Sequence, residues 1–257
     1  LLTSGGEPAD LVVLDDLREV SVRRVYRRGQ LVAQDGKLLP LPVKPKDVPL
    51  RSSMNINWHN ARDLRIPAAG THAKVIGVIP DSIVTDSLIE EVKIEGDLAV
   101  ADPERDILKM AVIERHLSSG NVGLGFVKGL KLRRGALGSS VAHDSHNVIV
   151  VGTNDADMLL AVREIERMRG GLVVVDEGNI QAALPLPIAG LVSDRPYEEV
   201  NHELQALLAA AHDLGSDLHD PFMTLSFLAL PVIPALKLTD RGLVDVTQFR
   251  FVPLFEA

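Results

Sequence analysis

Four prolines fall within ten residues, Pro40, Pro42, Pro45 and Pro49, and no other feature of this sequence constrains its folding more. Each one removes a backbone N–H and holds φ near −65°, so neither a helix nor a centrally paired strand can run through the stretch. An extended linker is expected there, with a domain boundary at about residue 47. The chain is thereby divided into a short segment, residues 1–47, and a long one, residues 48–257.

The short segment reads as β-structure. ADLVVLD is an apolar run bounded by acidic residues, and Val20 to Leu39 has the β-branched residues and turn signals of a meander. Arg28-Gly29 and Asp35-Gly36 are its turns, glycine supplying the positive φ that a tight hairpin needs. So small a sheet cannot cover its own apolar face, and partner strands are expected to complete a β-sandwich. The opening LLTSGGEPAD begins in mid-pattern without a methionine, which leads to the expectation that the sequence is a segment of a longer polypeptide.

The long segment mixes strand and helix signals. KVIGVIP (74–80), NVGLGFVKG (121–129) and VIVVG (148–152) are compact apolar runs with the look of buried strands, and LVVVDEGNIQAAL reads as a hairpin. Asp102-Pro103-Glu104 followed by Ile107, Met110, Ala111, Ile113 and Leu117 predicts a helix ending near Gly120. A second helix should start at Thr153 or Asn154, with Asp155 and Asp157 in its first turn, and stop at Gly170-Gly171. A third is expected from about Pro196 to His212, with Gly215 beyond its end. MTLSFLALPVIPALKL reads as buried strand and turn. The first and second helical stretches share an order of acidic cap, Glu-Arg, glycine and strand, which either an internal duplication or independent use of the same rules explains. The expected fold class is therefore mixed α/β in an α+β layering: a partial β-sandwich, then a mixed-sheet domain packed with at least three helices.

Composition narrows the function classes. Hydrophobic residues at 46% against 24% charged are the balance of a globular chain. A formal charge of −8 repels a phosphate backbone, so nucleic acid is not an expected partner. No run approaches the roughly 20 apolar residues of a bilayer span, and no membrane partner is expected. The absence of cysteine removes thiolate metal sites and Cys nucleophiles and fits a cytoplasmic location.

The densest polar cluster in an apolar setting is SSVAHDSHNVIVVG, which places Ser140, His143, Asp144, His146 and Asn147 in a loop ahead of a strand, where sites are commonly built. Three readings stand side by side: hydrogen bonding that pins the loop, contact with a ligand or neighbouring domain, and metal ligation. The last requires a turn, because residues 143 and 146 on a strand point to opposite faces. The glycines at 120, 123, 125 and 129 match no phosphate-binding pattern and suit close backbone packing. Asp155 and Asp157 have a sufficient cause in capping. Trp58, His59 and His72 could line a pocket or contact, while His116, His202, His212 and His219 read as helix-surface or helix-end residues. No His-x-His, His-Glu-x-x-His or His-x-Glu with Pro-Cys-x-x-Cys occurs. No residue is assigned as catalytic or as a metal ligand.

Three strings, GFVKGLKLRRGALGSSVAHDSHNVIVVGTNDADM, LPLPIAGLVSD and DPFMTLSFLALPVIPALKLTDRGLVDV, closely resemble the C-terminal domain of adenine deaminases, in the amidohydrolase superfamily. EPADLVVLDDL with RRVYRRGQLVAQDGKLL resembles the small β-sandwich that accompanies amidohydrolase barrels. The resemblance implies hydrolysis of adenine to hypoxanthine and ammonia, in purine catabolism. It implies a divalent metal, manganese or iron, held by His and Asp residues of a (β/α)₈ barrel with no counterpart in this sequence; no cofactor is expected on this segment itself. The segment would then serve as an accessory or lid domain, its partners being adenine and its own barrel, in an enzyme compatible with a homo-oligomer. The competing readings are a stand-alone, non-catalytic binding or assembly module, and an amidohydrolase acting on another purine or cyclic amide.

Overall fold

The computed structural model describes residues 9–40 and 51–256. Pro42, Pro45 and Pro49 of the expected linker lie outside the described residues, which form two compact units, one on either side of residues 41–50.

The first unit is a four-stranded antiparallel sheet in chain order: β1 (Leu11–Asp16), β2 (Ser21–Arg27), β3 (Gln30–Gln34) and β4 (Lys37–Leu38). Its two tight turns fall where expected. Arg28 and Gly29 have φ of 50° and 76°, Asp35 and Gly36 of 50° and 75°, so both central residues of each turn are left-handed, as the right-handed strand twist favours. Leu11 and Val12 remain 50% and 59% exposed, an apolar surface that this sheet alone does not bury.

The second unit opens with a short helix, α1 (Trp58–Ala61), capped by the Asn57 side chain, and the strand β5 (Ile66–Pro67). β6 (His72–Val78) and β7 (Thr85–Glu91) form a hairpin. β8 (Lys93–Glu95) and β9 (Leu98–Val100) join β5 in a three-stranded sheet. There follow β10 (Ile107–Ile113), β11 (Val122–Lys128), β12 (Ala136–Ser139), β13 (Val148–Gly152), the helix α2 (Asp155–Arg167), and the hairpin of β14 (Gly171–Asp176) and β15 (Asn179–Pro185). The chain closes with α3 (Tyr197–Asp213), α4 (Pro221–Phe227) and a small sheet of β16 (Leu236–Thr239), β17 (Gly242–Asp245) and β18 (Arg250–Phe251).

The central sheet has eight strands in the order β15-β14-β12-β13-β10-β11-β6-β7, antiparallel throughout except where β11 runs parallel to β6. Its inner strands are buried on both faces, whereas the edge strands β7 and β15 stay partly exposed. Met110, Val112, Leu137, Ile149, Val151 and Val174 pack with residues of α3, α4 and β16, whereas Ala111, Ile113, Ala136, Val148, Val150 and Val173 pack with Met158, Ala161, Val162 and Ile165 of α2. A strand buried on both sides needs no polar alternation, which is why these segments read as continuous apolar runs. Among the described residues no helix is long and apolar enough to cross a membrane.

Two sequence expectations are corrected. The helix predicted from Asp102 to Leu117 is one 3₁₀ turn, Pro103–Arg105, after which Asp106 adopts φ of 55° and the chain enters β10. All seven residues of β10 are buried, and the run ILKMAVI satisfied the helical period only because nearly every position in it is apolar. The shared order that suggested a duplication therefore fails, since its first copy is a strand and its second is α2. MTLSFLALPVIPALKL is likewise not all strand and turn: Asp220 Oδ1 accepts from the Met223 N–H at 2.8 Å, Pro221 occupies the first helical turn, and α4 forms before β16 begins. The other predicted helices and the hairpins follow the expectations. Asn154 caps α2 by accepting from the Asp157 N–H at 2.8 Å, and Gly215, with φ of 121°, follows α3.

Candidate functional site

The pairing of β10 dictates where the site forms. Its last residue, Ile113, pairs with Val122 at the start of β11 and with Val148 at the start of β13, while Ser139 at the end of β12 pairs with Leu172 at the start of β14. Residues 114–121 and 140–147 are therefore brought to one end of the central sheet. The first of these loops was expected on a helix; the strand delivers it to the polar loop instead.

Residues 143–145 make a turn. It sets the rings of His143 and His146 at 70° with centroids 5.7 Å apart, and His143 also packs against Phe227 of α4 at 4.7 Å. The His143 N–H donates to the Ser226 carbonyl at 3.0 Å, tying the loop to α4. The Ala142 N–H donates to Nδ1 of His146 at 3.3 Å, which assigns the ring proton to Nε2 of the neutral imidazole. Burial, and then the neighbouring His143 and Arg115, hold the His146 pKa below its ordinary value, outweighing Asp144. Asp144 is exposed on the turn.

Ser140 and Asn147 lie deeper. The Ser140 hydroxyl donates to the Gly190 carbonyl at 2.6 Å and accepts from the Gly171 N–H at 2.8 Å, pinning the end of β12 to two other segments. Asn147 Nδ2 donates to Asp240 Oδ1 at 3.2 Å, and Asn121 Nδ2 donates to the other oxygen of the same carboxylate at 3.0 Å. Asn147 Oδ1 is buried with no hydrogen-bond partner among the described residues. A buried acceptor left without a donor is costly and calls for an explanation.

Sequence reasoning missed the other half of the site, Glu114, Arg115 and His116. Glu114 accepts from the backbone N–H groups of His116, Leu117 and Ser119 and from the Ser119 hydroxyl. Burial pushes its carboxyl up, but these donors win and hold the pKa at about 2. The carbonyls of the same loop are met from the other side, where Asn55, Asn57 and Asn60 donate their side-chain amides to His116, Ser118 and Gly120. His116 Nε2 lies 2.7 Å from the Ser145 carbonyl, joining this loop to the His143–His146 turn. The available signal was a charged triplet directly after an apolar run, a pattern that suits the end of a buried strand as well as a helix.

The remaining candidates are placed elsewhere. Asp155 pairs with Lys109 at 2.6 Å, and Asp157 accepts from the Gly178 N–H and Asn154 Nδ2, so both carboxylates are engaged structurally. Trp58 donates its indole N–H to Glu166 at 2.7 Å, His59 is exposed on α1, and His72 is exposed on β6. His202 and His212 are exposed on α3 and His219 just before α4. Gly123 and Gly125 serve packing: a Cβ at the first would lie 1.8 Å from the Thr239 carbonyl oxygen. Among the described residues, no three His, Cys, Asp or Glu side chains come together to hold a metal ion. The donors among these described residues thus do not form a set that fits a catalytic divalent metal.

Residues 82–250 match the family model described as the adenine deaminase C-terminal domain. The chain is 51% identical to an adenine deaminase of Desulfatibacillum aliphaticivorans over 98% of its own length, 50% identical to one of Methanothrix thermoacetophila over 97%, and 49% identical to adenine deaminase 2 of Carboxydothermus hydrogenoformans over 97%. In each case it spans 44% of the relative's length.

Proposed function

Because the chain belongs to the adenine deaminase C-terminal domain family, we propose that it is the accessory, lid-like part of a hydrolase that converts adenine and water to hypoxanthine and ammonia. The observation that carries this reading is the loop of residues 143–147 with its turn at 143–145. It offers two imidazoles and a carboxylate from one end of the central sheet, in the same loop as a buried acceptor, Asn147 Oδ1, that no donor among the described residues satisfies. A purine amino group is a donor of the kind that acceptor lacks. His143, Asp144, His146 and Asn147 then face the substrate side, and Ser140 holds the loop's base.

The divalent metal of the reaction, manganese or iron, belongs in this reading to a barrel domain elsewhere in the enzyme, and the four-stranded sheet of the first unit completes a sandwich with strands of that part. The proposal extends to a cytoplasmic protein of purine metabolism.

The test is made in the full-length enzyme. Replacing His143, Asp144, His146 and Asn147 by alanine is expected to lower kcat/KM for adenine on the order of 10²-fold, the scale of a loss of positioning at a reacting centre, with the melting temperature little changed. Unchanged turnover and KM in a folded variant would reject the reading.

A further inference from the structure

Arg115 heads the largest fully buried side chains among the described residues, at 1% exposure, yet none of its bonds goes to a carboxylate. Nε donates to the His146 carbonyl, Nη1 to the Ser53 carbonyl at 3.0 Å and the Ser53 hydroxyl at 2.8 Å, and Nη2 to the Ala189 carbonyl at 3.0 Å. Withdrawing a cation from water without a counter-ion is costly, and an apolar side chain of similar volume commonly holds a junction at least as stably. Stability alone therefore does not select a guanidinium here. What it adds is geometry: a planar fork of N–H donors fixes several acceptors in one arrangement, which neither lysine nor an apolar side chain does.

The three segments so fixed converge on the candidate loop. The carbonyl held by Nε belongs to His146, whose φ of 49° is left-handed and whose ring stands against His143. The carbonyl held by Nη2 belongs to Ala189, next to the Gly190 carbonyl that accepts from Ser140. Two residues after Ser53 comes Asn55, whose N–H donates to the Arg115 carbonyl at 2.8 Å and whose side-chain amide donates to the His116 carbonyl. One side chain thus sets the distance between the end of β10, the base of the loop and the turn of residues 143–147.

We propose that Arg115 is a positioning residue, which sets the reach of the His143–Asn147 turn toward the substrate by fixing the His146 carbonyl in a frame shared with Ser53 and Ala189. Burial lowers its pKa to about 10, so it stays protonated at neutral pH and all of its nitrogens remain donors. The inference rests on the proposed role of the loop.

It is tested in the full-length enzyme with Arg115→Met, Arg115→Lys, His146→Ala and the double variant Arg115→Met with His146→Ala. Arg115→Met is expected to lower kcat on the order of 10²-fold with little change in KM, as misplaced groups do. Because Arg115 acts through the turn, the double variant should lose no more than the worse single variant. Should Arg115→Met fail to fold, Arg115→Lys carries the same cycle, since it keeps the cation and cannot reach three segments. Losses that multiply, or an Arg115 variant as active as the wild type beside an impaired His146→Ala, would overturn the inference and leave the loop reading standing. Full activity of the loop variants would remove both.

Discussion

Glu114 and Arg115 are adjacent, and the fold treats their charges differently. The guanidinium is held by three carbonyls and the Ser53 hydroxyl, while the carboxylate gathers three N–H groups and a hydroxyl. Hydrogen bonds to an ionised group are the stronger kind, and they preorganise the loop from which His116 and the 85% exposed Leu117 project. The sign of the pH dependence follows from a pKa lowered from 4.5 to about 2. The stabilisation is complete above 4.5 and is lost as pH falls toward 2, because the unfolded chain binds the proton more readily. Glu114→Gln should cost about 2 kcal/mol at neutral pH, as expected when donors lose a charged acceptor. Urea titrations across that acid window should show a steeper fall for the wild type than for the variant; parallel curves would refute the assignment. Lys237 is the opposite case, a wholly buried amine donating to the Ile83 carbonyl at 2.9 Å, its pKa depressed to about 8 by burial. Neither Arg115 nor Lys237 announced its burial in the sequence, because partners such as Ala189 and Ile83 lie far along the chain and are backbone atoms.

At the scale of elements, the strands and helices whose signals were local were legible. Asn154 with Asp155 and Asp157 marked α2, and the left-handed Arg28-Gly29 and Asp35-Gly36 pairs marked the hairpins. β10 and α4 were misread for one reason: an apolar run flanked by Asp-Pro serves equally as a buried strand or a buried helix, and the choice is made by neighbours. β10 is a strand because β11 and β13 supply ladders on both of its edges, while α4 has no strand beside it and packs on the sheet face. The packing of β11 against the β16–β17 hairpin gives a direct check. Gly123→Ala would set a Cβ 1.8 Å from the Thr239 carbonyl oxygen and must displace the hairpin, at a cost of about 2–3 kcal/mol of unfolding free energy, read as a lowered denaturant midpoint. Gly125→Ala meets Leu238 at an ordinary 3.5 Å and should be nearly neutral. Equal effects at the two positions would contradict this packing.

For the molecule as a whole, the contrast is between the core that the second unit buries and the metal-holding set that its described residues lack. The second unit has a sheet covered on both faces and three substantial helices, yet no metal-holding set among its described residues, and the chain spans 44% of its relatives' length. Activation of water at neutral pH is ordinarily the work of such a set in metal-assisted deamination. The 257-residue chain, purified alone and supplied with manganese or iron, is therefore expected to release no ammonia from adenine in a coupled assay. Sustained release above a protein-free blank would overturn the division of labour proposed here.

Read without a structure, the residues were enough to settle the α+β class, the hairpins of the first unit, α2, α3, and a polar loop at residues 140–147, because caps, turns and apolar runs act within a few positions of one another. Their strings also carried the family. Tertiary structure alone decided that β10 is a strand, that it delivers Glu114, Arg115 and His116 to that loop, and that Asn147 keeps an acceptor unanswered among the described residues. Those outcomes depend on which segments lie side by side, and side-by-side placement is selected by burial of both sheet faces at once, a property of the assembled core that no local window contains.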